Sequence, residues 1–185
     1  MRTLCLLAVL SLSACGFGLA GSRPLPDALS LVYIDVQTPY SVRETPIAIA
    51  LRSRINRRGG LITGKASEAR ATLRLSGLSE SRAVLSIGPD SKAVEFRLST
   101  SVSYQLLDGR KILVEPDTLA VSRDYSFTAQ QVLSKEAEED RLRVFIQEEM
   151  AELLMLRLES KLRALQAIAE PAPPVGVVPV PASAP

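Results

Sequence analysis

Residues 93–109, AVEFRLSTSVSYQLLDG, decide the fold of this chain. Apolar side chains recur at every second position near the start of the stretch and again near its end. That period places them on one face of a β-strand. The dipeptide Asp108-Gly109 follows directly and is a strong signal for a two-residue hairpin turn. We therefore predict a long strand over residues 93–107 that reverses direction at this dipeptide.

The segments on either side of this strand show the same alternation. Before it, residues 72–78 and 82–87 alternate, and Gly88-Pro89-Asp90 forms a turn signal. After it, residues 111–127 predict another strand that turns one set of side chains to a common face. The three strands together predict an antiparallel meander. The shared face of the last strand carries Leu119, Val121, Arg123, Tyr125 and Phe127.

A strand, a helix and a second helix complete the pattern. Residues 29–36 are apolar and β-branched, which favours a first strand. Thr45-Pro46 predicts a helix start, with threonine as the N-cap, and Gly59-Gly60 predicts its end. Residues 128–131 fit a capping box. An apolar stripe at helical spacing follows them as far as Leu165 and predicts a long helix packed against the sheet, with Met150 and Leu154 buried.

The predicted order is therefore β-α-β-β-β-α. We expect an α+β two-layer sandwich over residues 29–168, in which a four-stranded, mostly antiparallel sheet carries both helices on one face. The other face of the sheet is then left without a cover. From Pro171 the chain contains mainly proline, alanine and valine without charge, and we expect a disordered or polyproline-like tail over residues 169–185.

The first residues have the layout of a secretory signal. Arg2 precedes an apolar run over residues 4–12, which is shorter than the ~20 residues of a membrane-spanning helix. Leu12-Ser13-Ala14-Cys15 resembles the lipobox of bacterial lipoproteins, the alternative being an ordinary signal peptide with an incidental cysteine. The resemblance implies a signal peptide over residues 1–14, acylation of Cys15 and a tether over residues 15–28. Gly16 after the cysteine implies sorting to the outer membrane.

Composition argues against most catalytic and nucleic-acid functions. The chain has no histidine, and Cys5 would leave with the signal peptide, so no disulfide, zinc site or Cys/His catalysis is expected. The 22 basic and 20 acidic residues nearly balance, which disfavours nucleic-acid binding. Ser134-Lys135 could suggest a Ser/Lys nucleophile pair. Adjacent residues of a helix point about 100° apart, however, so these two side chains do not face each other. The acidic run over residues 136–140 is typical of a solvated helix face. We expect a protein without catalysis, metal or cofactor.

Two further motifs resemble the LptE family of lipopolysaccharide-assembly lipoproteins. Residues 15–21, CGFGLAG, are similar to the C-G-F-x-L-R-G start of the mature family members, with Ala20 in place of the usual arginine. Residues 123–127, RDYSF, lead into residues 131–139, QVLSKEAEE. This passage is similar to the family's strand-to-helix motif R-x-Y-x-F followed by L-A-K-x-x-E.

The resemblance implies a lipoprotein held in the outer membrane through acylated Cys15, on the periplasmic side. It further implies a plug in the LptD β-barrel that helps the barrel assemble and supports lipopolysaccharide delivery to the cell surface. The alternative function is that of an auxiliary lipoprotein of an ABC-type lipid transporter. A third hypothesis, an envelope hydrolase, is not supported by any set of catalytic residues in the sequence.

Lipopolysaccharide carries phosphates, so basic side chains near loops are the natural contacts. The candidates are Lys135, the lysine of the matched motif, with Arg123 and, on the first hairpin, Lys92 or Arg82. Exposed basic residues are common, and Arg123 also suits a pairing role within the sheet.

Overall fold

The computed structural model of the chain describes residues 24–37, 43–126 and 132–169, with side chains of the last range from residue 136 onward. Several expectations fall outside the described residues: the signal peptide, Cys15 and the tether up to residue 23, the capping box over residues 128–131, and the tail from residue 170.

The described residues form one mixed sheet and two α-helices. The strands are β1 Leu31–Gln37, β2 Leu61–Ile62, β3 Ala71–Ile87, β4 Ala93–Asp108 and β5 Lys111–Ser126; the helices are α1 Pro46–Arg57 and α2 Val132–Ala169; 3-10 turns occupy Asp27–Leu29 and Ala66–Glu68. The sheet has the order β2-β1-β3-β4-β5. Strand β1 is parallel to both of its neighbours, whereas β3, β4 and β5 are antiparallel to one another.

The α+β class and the two-helix layer are confirmed, but the predicted strand count was wrong by one. The sheet has five strands, because the two-residue strand β2 pairs Leu61 with Leu31 and Ile62 with Val32. A strand of two residues has no alternation to detect. It follows the Gly59-Gly60 end of α1, where the chain returns to the edge of the sheet.

A β-bulge joins the two alternating stretches of β3 into one strand. The pairing with β4 shifts register between Ser76 and Ser79. Gly77 lies in the bulge with a φ of +60°, a backbone conformation that favours glycine. Before the bulge, odd-numbered residues of β3 face the helices; from Glu80 to Val84, even-numbered residues do so, and the register shifts again after Val84.

The core lies between the sheet and the helix layer. Met150 and Leu154 of α2 are fully buried, which confirms the predicted apolar stripe. They pack into a single cluster with both helices and with the inner side of the four longer strands. Its fully buried members include Ile47, Leu51, Ile55, Leu73, Leu106, Ile146 and Leu158.

A side chain from α2 accepts a hydrogen bond from a backbone N–H at the start of α1. Thr45 occupies the N-cap position as predicted, but its hydroxyl makes no capping hydrogen bond. Instead, the backbone N–H of Ile47 donates to Oε1 of Gln147 at 3.2 Å. The amide of Gln147 donates in turn to Glu80 on β3 at 2.9 Å. This buried glutamine therefore connects both helices and the sheet.

Replacing Gln147 with methionine is expected to lower the free energy of unfolding by about 2 kcal/mol. The change keeps the side-chain volume but leaves the buried N–H of Ile47 without an acceptor. Chemical denaturation measures the loss. Gln166→Met on the exposed end of α2 is the matched control, expected to stay within about 0.5 kcal/mol of the native chain. An equal loss at both positions would contradict the bridging role.

Candidate functional site at the hairpin and the uncovered sheet face

The hairpin formed by β3 and β4 is the longest feature of the sheet and carries exposed apolar residues near its turn. Val84, Leu85 and Ile87 are 54%, 41% and 68% exposed. The turn is closed by a hydrogen bond from the N–H of Gly88 to the carbonyl of Lys92 at 2.8 Å. The hairpin thus presents an apolar tip with a cationic side chain in its turn.

A cluster of four residues fixes the hairpin to the start of α2, and we name it the hairpin clamp: Arg82, Phe96, Tyr125 and Glu139. The carboxylate of Glu139 accepts hydrogen bonds from the hydroxyl of Tyr125 at 2.7 Å and from Arg82 at 3.0 Å. The guanidinium of Arg82 lies 4.7 Å from the centroid of the Phe96 ring, which stacks on Tyr125 at 5.5 Å. The clamp combines charge pairing with aromatic contact.

The clamp holds its carboxylate ionised. Burial raises the pKa of Glu139, but the hydrogen bonds from Tyr125 and Arg82 and the nearby charge of Arg143 outweigh it, and the net pKa is lowered. Burial and the hydrogen bond to Glu139 raise the pKa of the Tyr125 hydroxyl, which therefore stays protonated as a donor. The cluster is suited to holding a position, since its groups do not titrate near neutral pH.

The structure brings two of the four predicted phosphate contacts together. Arg82 and Arg123 lie in one cross-strand row on either side of Leu98, and both face α2. Arg123 forms an ion pair with Glu149 of that helix, as Arg82 does with Glu139 of the clamp.

The other two predicted contacts lie elsewhere. Lys92 is in the hairpin turn, six residues from Leu98 and thus roughly 20 Å along the strand. Its side chain is 71% exposed, and its ammonium lies 3.7 Å from Asp90. Lys135 is in the first turn of α2, where its side chain is outside the described residues.

The outer side of β3, β4 and β5 carries small polar residues, and we name it the serine face. The hydroxyls of Ser99 and Ser122 lie 2.8 Å apart, and those of Ser103 and Thr118 lie 3.2 Å apart. Both described helices pack on the opposite side. Small side chains make this face low and flat, so another backbone can approach it closely. The face comprises Ser79, Ser81, Ser99, Ser101, Ser103, Thr118, Ala120 and Ser122.

Ion pairs flank the serine face at two of its margins. The guanidinium of Arg97 donates two hydrogen bonds to Asp124, at 2.7 and 2.8 Å. Arg74 pairs with Asp35 at 2.9 Å. Sequence reasoning did not single out this face, although the alternation of Ser99, Ser101 and Ser103 within β4 was a visible signal for it.

A second polar cluster fixes the far half of α2 to the sheet. Asp117 of β5 accepts hydrogen bonds from Lys161 at 2.8 Å, from the hydroxyl of Tyr104 at 3.0 Å and from the N–H of Thr118 at 2.8 Å. These hydrogen bonds lower the pKa of Asp117 to about 2, and the one from Lys161 has the largest effect. Only the ionised carboxylate accepts all three donors fully.

The stabilisation from Asp117 is expected to disappear in acid. Because its folded pKa is below the ordinary value of 3.8, its contribution is complete above about pH 4 and is lost as the pH falls to about 2. Asp117→Asn removes that charge at every pH. Denaturant unfolding should therefore show the native chain more stable than the variant at pH 6, with the difference shrinking at pH 2. A pH-independent difference would contradict this role.

The described residues hold no cluster of His, Cys, Asp or Glu suited to a metal ion. Among the same residues, neither helix combines the length and the apolar character that crossing a bilayer requires.

Comparison with known proteins identifies relatives along most of the chain. The LptE family model, described as lipopolysaccharide-assembly, matches residues 29–158. The LPS-assembly lipoprotein LptE of Pectobacterium atrosepticum is 30% identical over 154 residues, covering 82% of this chain and 80% of the relative. The protein of the same name from Yersinia pestis strain Pestoides F is 32% identical, with coverages of 82% and 72%.

Solved structures share the fold. The rare lipoprotein B from Shewanella oneidensis superposes with a TM-score of 0.61 at 21% identity, covering 74% of this chain and 98% of that one. Lipoprotein B from Nitrosomonas europaea gives a TM-score of 0.62 at 23% identity, with coverages of 80% and 94%. Both have the architecture described above.

Proposed function

The chain belongs to the LptE family of lipopolysaccharide-assembly lipoproteins, and from this membership we propose that it acts as the plug of the LptD β-barrel. In this role it helps the barrel to assemble and supports delivery of lipopolysaccharide to the cell surface. The chain is held in the outer membrane by acyl groups on Cys15, on the periplasmic side, and it works without catalysis.

The observation that carries the proposal is the contrast between the two sides of the sheet. One side is buried under both helices, whereas the serine face has no cover among the described residues. Solvated sheet faces are usually rich in long charged side chains, but this face consists of Ser, Thr and Ala. Its hydroxyl groups can donate and accept hydrogen bonds, and its low profile suits close contact with a flat protein wall. We assign the serine face to the barrel.

The hairpin is assigned to lipopolysaccharide. Lys92 offers an exposed ammonium for a phosphate group, and Ile87 and Val84 lie on the same hairpin for contact with acyl chains. Arg82 and Arg123 already form ion pairs with carboxylates of α2, so a phosphate group must displace the carboxylate of Glu139 or Glu149 to bind them. We propose Lys92 and Lys135 as the first contacts and the two arginines as contacts that form after this displacement.

Depletion of the protein in its own host tests the proposal. Surface lipopolysaccharide and the amount of assembled LptD should both fall, and the native chain should restore them. A Cys15→Ser chain, which cannot be acylated at that position, should restore them poorly. Unchanged LptD together with a defect in an inner-membrane lipid transporter would overturn the plug and favour the auxiliary-lipoprotein function.

A further inference from the structure

The strand ends nearest the start of the described chain form one end of the domain, which we name the N-terminal pole. Strand register places the starts of β1 and β3, the end of β4 and the start of β5 side by side: Val32 pairs with Ala71, Thr72 with Leu107, and Leu107 with Ile112. The last turns of α2 reach the same end, where the guanidinium of Arg163 donates to the carbonyl of Pro24 at 3.1 Å. The chain therefore leaves the domain toward Cys15 from this pole.

The pole exposes apolar side chains around a groove. The groove has a volume of about 390 Å³ and lies between Pro26, the start of β5 and the end of α2. Ile112 and Leu165 line it and are 45% and 47% exposed, and Ile168 in the last turn of α2 is 82% exposed. Such exposed aliphatic groups at the end of a domain indicate a surface that contacts something apolar.

Basic residues stand next to the groove without ion-pair partners among the described residues. Arg110 lies in the turn before β5 and Lys111 is the first residue of that strand; both are exposed, with Asp108 as the acidic neighbour. The pole thus combines apolar side chains with an excess of unpaired cations, the combination that binds an anionic lipid surface.

Chain geometry brings this pole near the bilayer. Eight residues lie between Cys15 and Pro24, so even a fully extended chain spans at most roughly 30 Å. We propose that, before the chain enters the barrel, the N-terminal pole docks on the anionic phospholipid surface that holds the lipid anchor. This inference rests on the acylation of Cys15 in the proposed function. Strand β4 spans roughly 50 Å, so docking would hold the hairpin turn far from the headgroups.

Vesicle binding by the mature chain, residues 15–185 with Cys15→Ser, tests the pole without help from the acyl groups. The probe is a vesicle of phosphatidylglycerol and phosphatidylethanolamine, compared with one of phosphatidylcholine. We expect preference for the anionic vesicle, and a loss on the order of tenfold when Arg110→Glu and Lys111→Glu are combined. Ile112→Ser should also weaken binding.

Matched substitutions away from the pole are the controls. Arg141→Glu and Ile49→Ser change the same kinds of exposed residue on the helices and should leave vesicle binding unchanged. Equal binding to both vesicles, or a larger loss in these control variants, would overturn the proposal. Loss of binding in a chain that ends at Ala169 would assign the lipid contact to the tail and would also overturn it.

Neither barrel nor lipopolysaccharide is present in this assay, so its failure is distinct from failure of the proposed function. The mass of the protein purified from membranes separately reports whether Cys15 carries acyl groups.

Discussion

Replacing Leu154 with aspartate is expected to unfold the domain. Leu154 is fully buried in the cluster that joins both helices to the sheet. Truncating such a leucine to alanine alone costs about 2–5 kcal/mol, and aspartate adds a carboxylate with no partner in an apolar surrounding. The sum approaches the total stability of an ordinary domain, about 5–15 kcal/mol. Circular dichroism and denaturant titration should show loss of the cooperative transition.

Leu156→Asp is the matched control for this change. It makes the same substitution two residues further along α2, where the side chain is 54% exposed. The variant should keep the native spectrum and lose little stability. If the two variants behaved alike, the packing of α2 against the sheet would be contradicted.

Replacing Ser101 with arginine should greatly weaken binding to the barrel partner while the domain stays folded. Ser101 lies in the middle strand of the serine face, between Ser79 of β3 and Ala120 of β5. A long charged side chain there would hold a flat partner away and would lose its hydration at the contact. We expect the barrel recovered with the tagged protein to fall at least about tenfold, which corresponds to about 1.4 kcal/mol.

Ser160→Arg serves as the control for the serine face, because Ser160 is exposed on α2, on the helical side of the domain. Quantitative mass spectrometry of the purified complexes compares the two variants. Normal recovery of the barrel with Ser101→Arg, or equal loss with Ser160→Arg, would contradict the assignment of the serine face.

The elements that depend on local patterns were predictable from the sequence. Alternation in residues 93–107 identified β4 and the side of it that is buried, and Asp108-Gly109 marked the turn into β5. The apolar stripe of α2 predicted that Met150 and Leu154 are buried. Strand β2 was not predictable in this way, because two residues carry no period and its pairing depends on how the chain returns after α1.

The polar contacts were not predictable, because their partners are distant in sequence. Gln147 accepts the N–H of Ile47, which is 100 residues away. Glu139 belongs to an acidic run typical of a solvated face, yet it accepts hydrogen bonds from Arg82 and Tyr125. Sequence reasoning selected Arg82 and Arg123 as phosphate contacts, with pairing within the sheet as the alternative for Arg123, and only the packing of α2 shows that both face carboxylates.

Affinity purification of the tagged, lipidated protein from gently solubilised outer membrane tests the central claim most directly. The plug proposal predicts one large β-barrel, LptD, in near-stoichiometric amount with the tagged chain. Recovery of inner-membrane transporter components, or of the tagged chain with no barrel, would contradict it.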